Sequence, residues 1–148
     1  MVVLRRRTFL ASALTAAGSL ALRASASEAQ SAPLKRALLG FEDGVSWSAV
    51  SPAWTGQRPL WLNNVRGSRS TGELAAQLLR LEAAMGWSAV QPSWRARRAG
   101  WVAAVRSAAN DHQLAALLVE LEAVTQWSAM RPTWRAARGP WLAMASSI

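Results

Sequence analysis

The stretch Trp87-Ser88-Ala89-Val90-Gln91-Pro92-Ser93-Trp94-Arg95-Ala96-Arg97-Arg98-Ala99-Gly100-Trp101 recurs in closely related form 40 residues before and 40 residues after itself, and that recurrence decides the fold. Its three tryptophans have counterparts in Trp47, Trp54 and Trp61 and in Trp127, Trp134 and Trp141. Ser48, Ser88 and Ser128, Pro52, Pro92 and Pro132, and Arg58, Arg98 and Arg138 superpose in the same register. The match continues upstream through Leu34, Leu74 and Leu114, Leu38, Leu78 and Leu118, then Phe41, Leu81 and Leu121, and Glu42, Glu82 and Glu122. A repeat of this length points to stacked helical units, because one unit cannot bury its apolar face alone. The boundaries read as repeat 1 over 34–73, repeat 2 over 74–113 and a shortened repeat 3 over 114–148, with 30–33 as a linker.

Each copy divides at a Ser-Ala-(Val or Met)-x-Pro joint. Proline disfavours helix in the residue before it and suits the first turn of a new one, so each copy holds two helices. In copy two the upstream helix is predicted over about 72–85, with Leu74, Leu78, Leu81 and Met85 on one face. The downstream helix is predicted over about 92–108, and Trp94 and Trp101, seven apart, share a stripe on it. The expected fold is all-α: about six helices from three tandem helix-turn-helix repeats, forming a short solenoid or a compact bundle.

The nine tryptophans are read as core, since they recur in step with internal leucines and aromatic burial seals helix against helix. The rival reading makes them stacking platforms for nucleic acid, with arginines alongside. Glu42, Glu82 and Glu122 each precede an arginine by sixteen residues, Arg58, Arg98 and Arg138, and such a pair can bridge the two helices of a repeat and fix their orientation. The remaining arginines become surface, and Arg95, Arg97, Arg98, Arg131, Arg135 and Arg138 form the candidate binding face.

Composition narrows the function. There is no cysteine and no tyrosine, so disulfides, thiolate nucleophiles and Cys-based metal sites are excluded. The one histidine, His112, stands at a repeat boundary beside Asn110 and Asp111, where it reads as a loop or helix-start residue. No second titratable group recurs beside the glutamates, so no catalytic site, metal or cofactor is expected. Sixteen of the seventeen cations are arginine and the formal charge is +9, which suits a protein or other polyanionic partner, nucleic acid among them, if the charge clusters on one face.

Residues 1–29 read as a targeting segment. Arg5, Arg6 and Arg7 precede Thr8, Phe9 and Leu10 and an Ala/Leu-rich run too short to span a bilayer comfortably. Arg6, Arg7, Phe9 and Leu10 resemble the twin-arginine export signal of bacteria, which implies a periplasmic or secreted protein. Arg5 departs from the usual residue before the pair. Small residues at Ala24, Ala26 and Ala29 fit signal-peptidase cleavage, and loss of the segment would lower the charge to +6. An Arg-rich organellar presequence is the competing reading.

The phrase Leu74-Ala75-Ala76-Gln77-Leu78-Leu79-Arg80-Leu81-Glu82-Ala83-Ala84-Met85-Gly86-Trp87, followed by Trp94, Arg98 and Trp101, resembles the WSD (D-TOX) motif of DDT-domain chromatin-remodelling subunits and related plant PHD-finger proteins. Trp134, Arg138 and Trp141, and Trp54, Arg58 and Trp61, repeat the second part. The resemblance covers only the repeats and implies a non-enzymatic nuclear segment contacting DNA or histones. It sits at odds with an export-like start, and the cysteine-free chain carries no PHD finger. The leading expectation is a non-enzymatic helical-repeat interaction module that binds a macromolecule through its arginine face.

Overall fold

A computed structural model describes residues 31–148, so the targeting residues Arg6, Arg7, Phe9 and Leu10 lie outside the described residues. Six helices form: α1 over 31–44, α2 over Trp54–Gly67, α3 over Thr71–Ala84, α4 over Trp94–Ser107, α5 over Asp111–Val124 and α6 over Trp134–Ser146. A short 3-10 turn precedes each of α2, α4 and α6, at Trp47–Ala49, Trp87–Ala89 and Trp127–Ala129. The fold is all-α, as the periodicity predicts.

Helix starts explain the register. The Ser70 side chain accepts from the Glu73 N–H at the head of α3, and Asn110 accepts from the Gln113 N–H at the head of α5. Such caps satisfy N–H groups that the helix itself leaves unpaired. The helices therefore begin at Thr71 and Asp111, three residues ahead of the boundaries read at 74 and 114. Pro92 and Ser93 lie in a turn closed by the Trp94 N–H on the Gln91 carbonyl (2.9 Å), so α4 starts two residues after the proline.

Odd and even helices occupy different layers. The apolar helices α3 and α5 touch each other, while α4 touches both, and α2 and α6 touch α3 and α5 respectively. Leu34, Leu38 and Phe41 of α1, Leu74, Leu78 and Leu81 of α3, and Leu114, Leu118 and Leu121 of α5 make the buried centre. Even helices press two tryptophans each onto it. The rings pair edge-on in Trp54 with Trp61, Trp94 with Trp101 and Trp134 with Trp141, with centroids 5.4, 5.3 and 5.4 Å apart. Burial of an indole stabilises by roughly 4–6 kcal/mol on an area scale, which makes these six rings the main adhesive between layers.

Each unit joins the next by the same bonds. The Trp61 indole N–H donates to the Gln77 carbonyl, and the Trp101 N–H to the Leu117 carbonyl, both at 2.9 Å. The joints exchange backbone hydrogen bonds: Ser51 N–H donates to Ala84 O, and Gly86 N–H to Ala49 O; Gln91 N–H donates to Val124 O, and Gln126 N–H to Ala89 O. Repeat 3 makes the same set of contacts to α1 and the joint that follows it. Trp141 donates to Ala37 O (2.8 Å), Arg131 N–H to Gly44 O and Ser46 N–H to Ala129 O. Antiparallel bridges close the same circuit, Val50 with Met85, Val90 with Thr125 and Met130 with Val45.

The molecule is thus a closed ring of three helical pairs with approximate threefold symmetry, not an open solenoid. The outer helix of repeat 3 packs on α1, which stands to it as α3 stands to α2 and α5 to α4. Gly44 makes that last joint tight: a side chain there would meet the Trp134 ring, 2.5 Å from the Cβ position, where Ala84 and Val124 stand in the other two copies.

Candidate interaction site built from Trp, Arg and Glu

Every repeat builds one local assembly at its joint. The glutamate is buried on an inner helix, and the arginine reaches it from the outer helix. Arg58 donates to Glu42 at 2.5 and 3.0 Å, Arg98 to Glu82 at 2.8 and 2.9 Å, and Arg138 to Glu122 at 2.7 and 3.2 Å. All three sixteen-residue pairs are therefore brought together across the helices of one repeat. Indoles complete the shell in two copies, where Trp94 donates to Glu82 (3.0 Å) and Trp134 to Glu122 (3.4 Å). A buried carboxylate is tolerable only with its acceptor sites filled. The hydrogen bond to the carboxylate also raises the pKa of Arg58, Arg98 and Arg138 above the ordinary arginine value, so all three remain cations.

Six of the nine tryptophans are core, as expected, and three are not. Trp47, Trp87 and Trp127 are 48%, 51% and 52% exposed. Each opens the 3-10 turn just beyond an inner helix, where the chain has left the apolar stripe that faces the centre. Arginines lie over these rings: Arg58 over Trp47 at 5.7 Å, Arg95 over Trp87 at 4.9 Å, and Arg135 and Arg138 over Trp127 at 5.5 and 5.8 Å. Arg58 and Arg138 also serve the buried glutamates, whereas Arg95 and Arg135 lie over their rings with no carboxylate partner among the described residues. Threefold symmetry places the three assemblies at one level of the ring.

The predicted arginine face is accordingly divided. Arg98 and Arg138 are committed to Glu82 and Glu122. Arg97 bonds Glu120 at 2.6 Å and lies over Trp94. Among the described residues, no carboxylate pairs with Arg95, Arg131 or Arg135. Arg131 lines a small cavity with Glu42, Trp47 and Trp54, held there by the closing joint. The WSD-like phrase maps onto packing positions, since Trp94 and Trp101 are buried and Arg98 serves the buried glutamate.

Sequence reasoning missed Glu120, Arg80 and Leu60. Their signal lay in the departures between copies: Arg97 and Glu120 are 23 residues apart, and the same positions one repeat earlier are Gln57 and Arg80. Among the described residues, no cluster of acidic or histidine side chains could hold a metal ion, and no helix is long and apolar enough to cross a membrane.

The model of one protein family, described as a domain of unknown function (DUF8799), matches residues 29–86 and, in a second overlapping copy, residues 75–128. The chain belongs to the DUF8799 family. The overlapping matches follow the repeat, since each spans at least one inner helix, a joint and an outer helix. No curated protein and no solved structure matches this DUF8799 chain.

Proposed function

We propose that the protein is a non-enzymatic interaction module, exported from the cytoplasm, that binds an acidic partner protein through the rim of Trp–Arg pairs. The observation that carries this reading is the placement of Arg95 and Arg135 over the half-exposed rings of Trp87 and Trp127, with no carboxylate to neutralise them among the described residues. A structural role does not need an indole left in water with a cation on its face. Preorganised guanidinium edges suit carboxylates, which they grip in bidentate fashion. Residues 31–148 carry thirteen cations and seven acids, so the excess charge belongs to the folded ring.

An acidic protein is favoured over nucleic acid because Arg97, Arg98 and Arg138 are already matched by Glu120, Glu82 and Glu122. That leaves Arg95, Arg131 and Arg135 of the predicted face to meet a phosphate backbone. The test is titration with poly-L-glutamate, followed by tryptophan fluorescence, for the wild type and for the Arg95→Gln/Arg135→Gln variant. Binding that falls roughly tenfold in the variant supports the rim, on the scale of about one exposed ion pair per arginine. Equal binding by both proteins sinks it. Tight binding to duplex DNA that weakens by about 0.9 log units per log salt for each phosphate contacted would assign the face to nucleic acid, the chromatin alternative.

A further inference from the structure

The three outer helices sit in equivalent grooves between inner helices, but the three grooves are finished differently. Between α4 and α5 the Arg97–Glu120 ion pair spans the groove, and Val124 fills its floor. Between α6 and α1, Gly40 and Gly44 let Trp141 and Trp134 press inward. Between α2 and α3 neither device is present. Gln57 and Arg80 stand where the ion pair would be, Ala84 where Val124 would be, and Gly56 has open space around its Cβ position.

The result is a cavity of about 540 Å³ lined by Trp54, Trp61, Leu60, Arg80 and Ala83. Leu60 is 63% exposed at its edge, where the other copies have Gly100 and Pro140. Nothing in the packing asks for a leucine there. Ala83 also lines a second cavity of about 230 Å³, beside Trp87 and Arg98, so the groove runs on to the Trp–Arg rim. Ser51 contributes to that openness, because its counterpart Arg131 occupies the matching cavity of repeat 1.

We propose that this α2–α3 groove is the anchoring site for a linear acidic segment of the partner protein. One apolar side chain of the segment packs between Leu60 and the indoles of Trp54 and Trp61, and its carboxylates meet Arg80 and, past Ala83, Arg95. Charge argues for that occupant. Arg80 takes the position that Glu120 holds in the next repeat, and no carboxylate of the described residues pairs with it, so the incoming segment supplies the acid that the chain itself supplies one groove further on. Apolar anchor and flanking charge together are how short linear segments gain both affinity and register. The proposal rests on the acidic-partner reading but locates it in one groove instead of at the Trp87 and Trp127 rims alike.

The probe is a short acetylated peptide of leucine and glutamate, with poly-L-glutamate as a charge-only control. Gly56→Leu plugs the groove from an exposed helical position without meeting another atom at its Cβ, so the fold should survive it. Peptide affinity should fall roughly tenfold or more in Gly56→Leu, the scale of one leucine side chain losing its burial, and also in Arg80→Glu, while poly-L-glutamate binding to Gly56→Leu stays unchanged. Peptide binding untouched by Gly56→Leu but lost in Arg95→Gln/Arg135→Gln overturns the groove and leaves the rim reading standing. No peptide binding by the wild type, or concentration-dependent self-association that disappears in Leu60→Ser, overturns it too, the latter assigning the groove to a second copy of the chain.

Discussion

The indole N–H of Trp141 donates to the backbone carbonyl of Ala37, 104 residues earlier, at 2.8 Å. The same bond links Trp61 to Gln77 and Trp101 to Leu117 across sixteen residues. One contact, used twice between neighbours in sequence and once between the two ends, turns a tandem repeat into a ring. Ser31, where α1 begins, and Ile148 also line a common cavity.

Closure predicts that the chain tolerates being cut elsewhere. Residues 31–148 are two short of three full repeats, so a two-residue linker from Ile148 to Ser31 reproduces the loop before Thr71. A circular permutant opened between Arg69 and Ser70 should fold, with a circular dichroism spectrum and melting transition close to the parent. An open solenoid would instead lose its terminal contacts and melt broadly.

Ring position sorts the tryptophans. Trp101→Ala removes a buried indole and its hydrogen bond, and should cost about 3–5 kcal/mol in urea unfolding. Trp87→Ala should cost less than about 1 kcal/mol, the scale of an exposed cation–π contact. Comparable losses from the two would contradict the exposure of Trp87.

The Glu82–Arg98 pair is testable by a double-mutant cycle. Glu82→Ala strands the Trp94 N–H and the guanidinium, and should cost about 3 kcal/mol, near the low end for a buried pair because Arg98 reaches solvent. Arg98→Ala leaves the carboxylate held by Trp94. A coupling energy of at least about 1 kcal/mol is expected; strictly additive losses would show that the two side chains act independently.

Glycines should answer in opposite directions. Gly44→Ala drives a methyl into the Trp134 ring and should destabilise by about 1–3 kcal/mol. Gly100→Ala, at an open site inside α4, should stabilise by about 1 kcal/mol through helix propensity. Chemical unfolding of the two variants side by side checks both signs.

Export through the twin-arginine-like segment predicts that Arg6→Lys/Arg7→Lys retains the protein in the cytoplasm of a bacterial host. Fractionation followed by intact mass is the readout. Unchanged export of the variant would remove that reading of residues 1–29.

Much of this was legible in the chain because it depends on near neighbours. Leu74, Leu78 and Leu81 mark the buried face of α3 by spacing alone, the proline joint separates two helices, and a sixteen-residue interval from Glu82 to Arg98 is short enough to follow the hairpin and predict a bridge. Trp87 was not legible. Its identity matches the buried rings, and only its place one turn past the inner helix leaves it in solvent. Leu60 and Arg80 look unremarkable until Gly100 and Glu120 are set beside them as spatial equivalents.

What the sequence determined by itself, then, is the unit: a pair of helices, its apolar stripe and its internal ion pair, all fixed by periodicity and by side chains within one 40-residue span. What only the tertiary structure decided is the number of units that closes and which groove stays open. Those depend on the rotation from one pair to the next, which is set by how Trp141 and Trp134 seat against Ala37, Gly40 and Gly44. Side-chain volume at a handful of contacts determines that angle, and no local pattern in the chain encodes it.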